Sequence, residues 1–332
     1  MLKKIVLASA MAMTAVSVRA GTTIEGTGSS FAYPIYKSWA TEYYNATGNR
    51  VNYTPTGSGA GIKAISAREV DFGGSDKPLK PSTLKKKGLY QFPTVVGAIA
   101  LAYNIPGVDR LRLSENALSG IVLGTIQYWD NPVIRKDNPG VKLPHKKVLF
   151  VHRSDKSGTT FAFTYYLSKM NSVWRSHFGA KKAVNWPMEN HIGGKGNFGV
   201  STAIKTNKYS IGYVDYADAV KNGLKMAEVE GRNGRFIKPE LKAFQEAARF
   251  AVLDPKKDFY ANIAYPKKGY PIVSVTFALI AKEKQDSNRE VVRFVDFGFK
   301  NGDDNATKLG YVPLPAAVKE KVRAYWKEKG LY

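Results

Sequence analysis

The sequence contains no cysteine and only four histidines among its 332 residues. The first absence excludes disulfides, thiolate nucleophiles, thiolate metal ligands and a lipid-bearing cysteine. A chain of this length can instead be held by its own core. His145, His152, His177 and His191 lack metal-ligand spacing, so no metal and no cofactor is expected, and His152 is expected to be packed or solvated. No Gly-x-Ser-x-Gly elbow surrounds any serine, and no Gly-x4-Gly-Lys-Ser/Thr loop occurs, which leaves hydrolase and nucleotide-binding readings without support. No apolar run reaches the roughly 20 residues a membrane-spanning helix needs; the best, VVGAIALAYNI, stops at Pro106. Acidic residues are scarce, 27 against 50 basic, for a formal charge of +23. Such a balance suggests anionic partners. The lysines nevertheless fall in short scattered groups, with no basic–aromatic repeat of the kind a nucleic-acid reader uses, and are read as solvated surface.

The opening MLKKIVLASAMAMTAVSVRA pairs two lysines with an apolar stretch and small residues before Gly21. This is the layout of a secretory signal peptide (residues 1–20) cleaved after Ala20, and it predicts export to a bacterial periplasm. Beyond it, short apolar strands alternate with amphipathic segments. TTIEG precedes FAYPIYKSWATEYYNATG, where Phe31, Ile35, Trp39 and Tyr43 share a helical face and Gly48 suits the stop. VNYTP, VDFGG, KKVLFVHR, YSIGYVDY and YPIVSVTFALIAK read as strands, and TTFAFTYYLSKMNSVWRSHF as one long helix. This rhythm predicts an α/β protein with largely parallel sheets.

Three segments combine glycine with serine or threonine between a strand and a helix: GTGSSF (26–31), TGSGAG (56–61) and KSGTT (156–160). Glycine lets the backbone approach a ligand, and the free N–H groups of the following helix start point outward. Together with Arg153, in RSDKSGTT, and the acid of GGSDKP, they point to an oxyanion site at the carboxyl ends of the strands. The stretch GGKGN (193–197) reads as a structural turn before a helix.

Over nearly the whole chain, the ordered segments GTGSSFAYPIY, TGNRVNYTPTGSGAGIK, VDFGGSDKPL, QFPTVVGAIALAYNIPG, RSDKSGTTFAFTYYL, GGKGNFGV and SIGYVDY resemble the periplasmic phosphate-binding proteins of ABC-type importers. The resemblance implies a two-domain periplasmic binding protein fold, each domain a mostly parallel sheet flanked by helices, with the ligand cleft between them. It divides the chain into a discontinuous domain I (21–95 plus 272–332) and a domain II (96–271), with hinge crossings near Thr94–Ala98 and Tyr270–Val273. It implies inorganic phosphate as ligand, held by Ser29, Ser30, the Phe31 main-chain N–H, Ser58, Asp76, Arg153, Ser157, Gly158 and Thr159, with Asp155 orienting Arg153. It also implies a monomeric, non-enzymatic receptor that serves an inner-membrane ABC phosphate permease, with no specific nucleic-acid partner. Ser30 stands where threonine is frequent, and Lys156, expected exposed, where glycine is. The competing readings are a receptor for another tetrahedral oxyanion and an exported basic adhesin or nucleic-acid binder on the same scaffold.

Overall fold

The protein is described by a computed structural model over residues 21–332; the expected signal peptide lies outside the described residues. Twelve strands are formed among them: β1 (Thr23–Gly28), β2 (Arg50–Thr54), β3 (Phe72–Ser75), β4 (Leu89–Asn104), β5 (Arg112–Leu113), β6 (Leu149–Arg153), β7 (His191–Gly194), β8 (Ser210–Asp215), β9 (Lys225–Met226), β10 (Glu228–Glu230), β11 (Phe236–Ile237) and β12 (Val273–Ala281). The main sheet runs β2-β1-β3-β12-β4-β8-β6-β7, with β9 also on β4.

Each end of that sheet is parallel. β1 pairs in parallel with β2 and β3, and β6 with β7 and β8. Antiparallel pairing is confined to the middle, where β12 joins β3 to β4 and β4 joins β8. β4 is the shared element. Its residues up to Ala98 pair with β12, and from Ile99 onward with β8. The change of partner divides the α/β architecture into two lobes, with β4 running through both. All of β12 and nearly all of β4 are buried, as apolar runs covered by helices on both faces should be.

The helix Tyr33–Thr47 buries Ile35, Tyr36, Trp39 and Tyr43 and ends on left-handed Gly48, whose N–H caps Tyr44. Tyr36, Trp39 and Tyr43 meet Phe294 edge-on, which docks this helix against the helix Gln285–Asn301. The long aromatic helix expected after β6 is two helices, Gly158–Met170 and Ser172–His177. Asn171 takes an extended conformation between them, and its side chain accepts from Trp174 N–H at 2.8 Å. Its helical-face periodicity hides the break, because an asparagine is as good an N-cap as it is an ordinary polar position.

Candidate functional site

Four segments converge at the carboxyl ends of the strands. The first follows β1. Ser29 N–H bonds Gly74 O across to the neighbouring strand end, and the buried Ser29 hydroxyl donates to Asp76 Oδ1 at 2.6 Å. Ser29 Oγ also accepts from Phe31 and Ala32 N–H at 3.1 and 3.2 Å, which fixes the turn that leads into the helix beginning at Tyr33. The Ser29 side chain thus holds the loop and the acid, with its single proton committed to Asp76. Phe31 N–H, expected on the anion, rests on Ser29 Oγ here.

The second segment follows β2. Gly57 adopts φ 92°, and the helix Ser58–Ser66 opens behind it. A side chain at Gly57 would strike Asp155 Oδ2 from the opposite lobe, so the left-handed conformation and the close approach both call for glycine. Ser58 Oγ accepts from Asp76 N–H at 3.1 Å and donates to Asp76 Oδ2 at 3.3 Å.

Asp76 itself follows β3 and is buried. Thr276 of β12 donates to its Oδ1 at 2.8 Å. Burial pushes its carboxyl above the ordinary range, against the opposing pull of the Ser29, Thr276 and Ser58 hydroxyls and of Arg153.

The third loop, in the other lobe, follows β6. Arg153 is buried, its N–H held by Tyr213 OH at 3.1 Å. Its fork donates to Asp155 twice, at 2.7 and 2.6 Å, and Nη1 donates to Thr159 Oγ1 at 3.2 Å. One hydrogen on each Nη then remains without a partner among the described residues. Burial raises the Asp155 carboxyl, but Arg153 and the Gly196 N–H (3.1 Å) override it and hold it below its ordinary value. Ser157 caps the helix Gly158–Met170 by accepting from Thr160 N–H, and leaves the N–H groups of Gly158 and Thr159 at the open, positive end.

The two halves face each other closely. A Cβ on Gly158 would overlap Ser58 Oγ and lie 2.6 Å from Asp76 Oδ2. Gly59 N–H bonds Lys156 O at 2.8 Å between the lobes, while the Lys156 side chain is exposed as expected. Ser30, Ser58, Asp76, Arg153, Ser157, Gly158 and Thr159 are therefore gathered in one closed, buried place, with many donors and the Asp76 carboxylate as acceptor. Such a set suits a tetrahedral oxyanion that carries a proton.

Three contributors were not singled out from the sequence. Thr276 sits inside an apolar strand run, and Tyr213 in another, where nothing marks a polar role. Asn197, in GGKGN, was read as part of a turn; it is fully buried and contacts Ser30, Thr159 and Asp215. Its placement directly after a Gly-rich strand end, like the three anion loops, was the available signal. His152 is half-buried, lies tilted against Trp186 and hydrogen-bonds the exposed His191 at 2.8 Å, outside the site.

Residues 14–301 match the PBP_like_2 family, a PBP superfamily domain. The phosphate-binding protein PstS of Pasteurella multocida is 42% identical over 311 residues, covering 92% of this chain and 90% of its own. PstS of Haemophilus influenzae is 41% identical over 311 residues, covering 92% of each. Among solved structures, the high-affinity periplasmic phosphate-binding protein PfluDING bound with phosphate superposes with a TM-score of 0.75 at 22% identity, over 91% of this chain and 93% of that one. A phosphate-binding protein from Stenotrophomonas maltophilia gives 0.72 at 21% identity, covering 91% and 93%.

Proposed function

Because the chain belongs to the PstS phosphate-binding proteins of the PBP superfamily, we propose that it captures inorganic phosphate between its lobes and delivers it to an ABC-type phosphate permease of the inner membrane. It is a binding protein and not an enzyme. The observation that carries the reading is the single acceptor, Asp76, facing the N-terminus of the helix Gly158–Met170 across the lobe boundary, with Arg153 beside it.

In this reading the ligand oxygens take hydrogen bonds from the Ser30, Ser58, Ser157 and Thr159 hydroxyls, from the main-chain N–H groups of Phe31, Gly158 and Thr159, and from the two remaining Arg153 hydrogens. Phe31 N–H exchanges Ser29 Oγ for the anion, the Ser58 hydroxyl exchanges Asp76 Oδ2 for it, and Ser29 stays behind to hold Asp76. The phosphate O–H donates to Asp76. Residues 21–95 and 272–332 move as one body and 96–271 as the other, hinged near Thr94–Ala98, just before β4 changes partner, and near Tyr270–Val273, where Val273 pairs with Ala98. The protein acts as a monomer in the periplasm after cleavage at Ala20. A sulfate receptor is disfavoured by Asp76, and a nucleic-acid reader by a site too enclosed for a polymer.

Isothermal titration of the phosphate-stripped protein tests this. One phosphate per chain with sulfate failing to compete supports the reading; equal affinity for the two anions, or no phosphate heat, refutes it.

A further inference from the structure

The hydrogen bonds of Asn197 leave none of its polar groups spare. Its backbone N–H and Nδ2 both donate to Ser30 Oγ, at 3.3 and 3.2 Å. Nδ2 donates its second hydrogen to Thr159 Oγ1 at 3.3 Å. Oδ1 accepts from Asp215 N–H at 3.2 Å. A backbone N–H can only donate, so this last bond fixes which end of the amide is oxygen and turns the NH₂ group toward the two hydroxyls. Asn197 is fully buried, so water cannot take over these roles.

The consequence lies in the hydroxyls. Ser30 Oγ already accepts two hydrogen bonds from Asn197. Thr159 Oγ1 already accepts one from Asn197 and one from Arg153 Nη1 at 3.2 Å. A hydroxyl oxygen has two lone pairs and one hydrogen. With both pairs occupied, each hydroxyl can face a ligand only as a donor.

We infer that Asn197 is a positioning residue that joins the lobes through Ser30 and fixes the Ser30 and Thr159 hydroxyls as donors to the bound anion. The inference rests on the phosphate reading and adds a residue to it. Around the ligand, hydroxyl groups that could otherwise accept are confined to donating, which leaves Asp76 to read the ligand's proton. Ser30 belongs to the first lobe and Asn197 to the second, so the arrangement is complete only when the cleft is closed.

The variant Asn197→Asp tests it with almost no change in shape. A carboxylate can still accept from Asp215 N–H, but it also accepts from the two hydroxyls and turns their hydrogens away from the anion. Phosphate titration should show a loss of about 100-fold or more for Asn197→Asp and about tenfold for Asn197→Ala. The decisive readout is a mutant cycle. In a Ser30→Ala, Thr159→Val background, Asn197→Ala should cost less than about twofold, whereas in a Ser58→Ala background it should keep its full factor. Should Asn197→Ala fail to fold, the cycle is read with Asn197→Asp, in which Ser30→Ala must cost less than it does in the wild type. Melting of the ligand-free forms separates a packing defect from a binding one. Wild-type affinity in both Asn197 variants, or full additivity with Ser30 and Thr159, overturns the inference. A wild-type protein that binds no phosphate instead overturns the proposed function and leaves these bonds without a ligand to serve.

Discussion

An ionised carboxylate only accepts hydrogen bonds, so in the proposed reading Asp76 is matched to a ligand oxygen that bears hydrogen. Phosphate near neutral pH keeps at least one and sulfate has none. A site built around a substrate O–H can reject an analogue lacking it by on the order of 10⁴–10⁵. Asp76→Asn should therefore raise sulfate affinity while lowering phosphate affinity only modestly, because the amide can present N–H₂ to either anion. Competition titrations check this, and sulfate bound as poorly as before would remove the carboxylate from selectivity. Arg153→Lys should cost phosphate affinity about tenfold or more despite the kept charge, since the fork that grips Asp155 and aims two hydrogens at the site is lost. A second acid sets a pH dependence. Burial pushes the Asp218 carboxyl up to about 6, against the pull of Lys221 and Arg153, and burial together with the Asp218 charge pushes the neighbouring Asp215 carboxyl well above its ordinary range. The folded state then holds a proton that the unfolded chain releases at lower pH, so its contribution is present below about pH 4 and lost as pH rises to about 6. Asp218→Asn should raise the melting temperature by a few degrees at pH 7.5 and leave it unchanged at pH 4. An equal shift at both pH values would contradict the assignment.

At the scale of elements, the site is three strand-to-helix turns brought face to face. The tightest approach is at Gly158, the first residue of its helix, whose missing side chain leaves room for Ser58 and Asp76. Gly158→Ala should hold the lobes apart and weaken phosphate binding by about 100-fold or more, with the ligand-free melting temperature close to wild type. Retained affinity would show that the close approach is not needed. These turns stood out in the sequence because three of them recur, each with glycine beside serine or threonine after an apolar run, whereas any one alone reads as an ordinary helix cap. Arg153 and Asp76 were legible alongside them, each standing just beyond a strand. Thr276 and Tyr213 were not, since a threonine or tyrosine inside an apolar run looks like any β-former. Asn197 was visible only as part of a Gly-rich turn, and its importance depends on Ser30 lying opposite, a pairing 167 residues apart in the chain. The division of the long aromatic helix at Asn171 was hidden by unbroken periodicity on either side.

For the whole molecule, the unexpected feature is where the positive charge collects. Within the site Arg153 is matched by Asp155, and Asp76 adds a further acid, so the side chains there carry no positive surplus to attract an anion. Binding must rest on oriented donors and helix ends. The lysines, scattered in sequence, are gathered by the fold beside the site. Lys37 and Lys308 from one lobe face Lys195 and Lys221 from the other along a groove of about 790 Å³. On the remaining side, burial lowers the Lys182 ammonium, and the neighbouring Lys77, Lys156 and Lys87 lower it further. Such clusters focus anions toward the cleft but are screened beyond about 8 Å at physiological salt. Replacing Lys156 and Lys182 with glutamine should slow phosphate association severalfold at low salt and change equilibrium binding less than about twofold at 0.15 M; stopped-flow and titration together decide it. The central claim is that two lobes shut on one phosphate. Small-angle scattering of the stripped protein, before and after one equivalent of phosphate, tests that most directly. The account predicts a smaller radius of gyration on binding, and no change in the Gly158→Ala protein at the same concentrations. Tight phosphate binding by the wild type with an unaltered radius would contradict it.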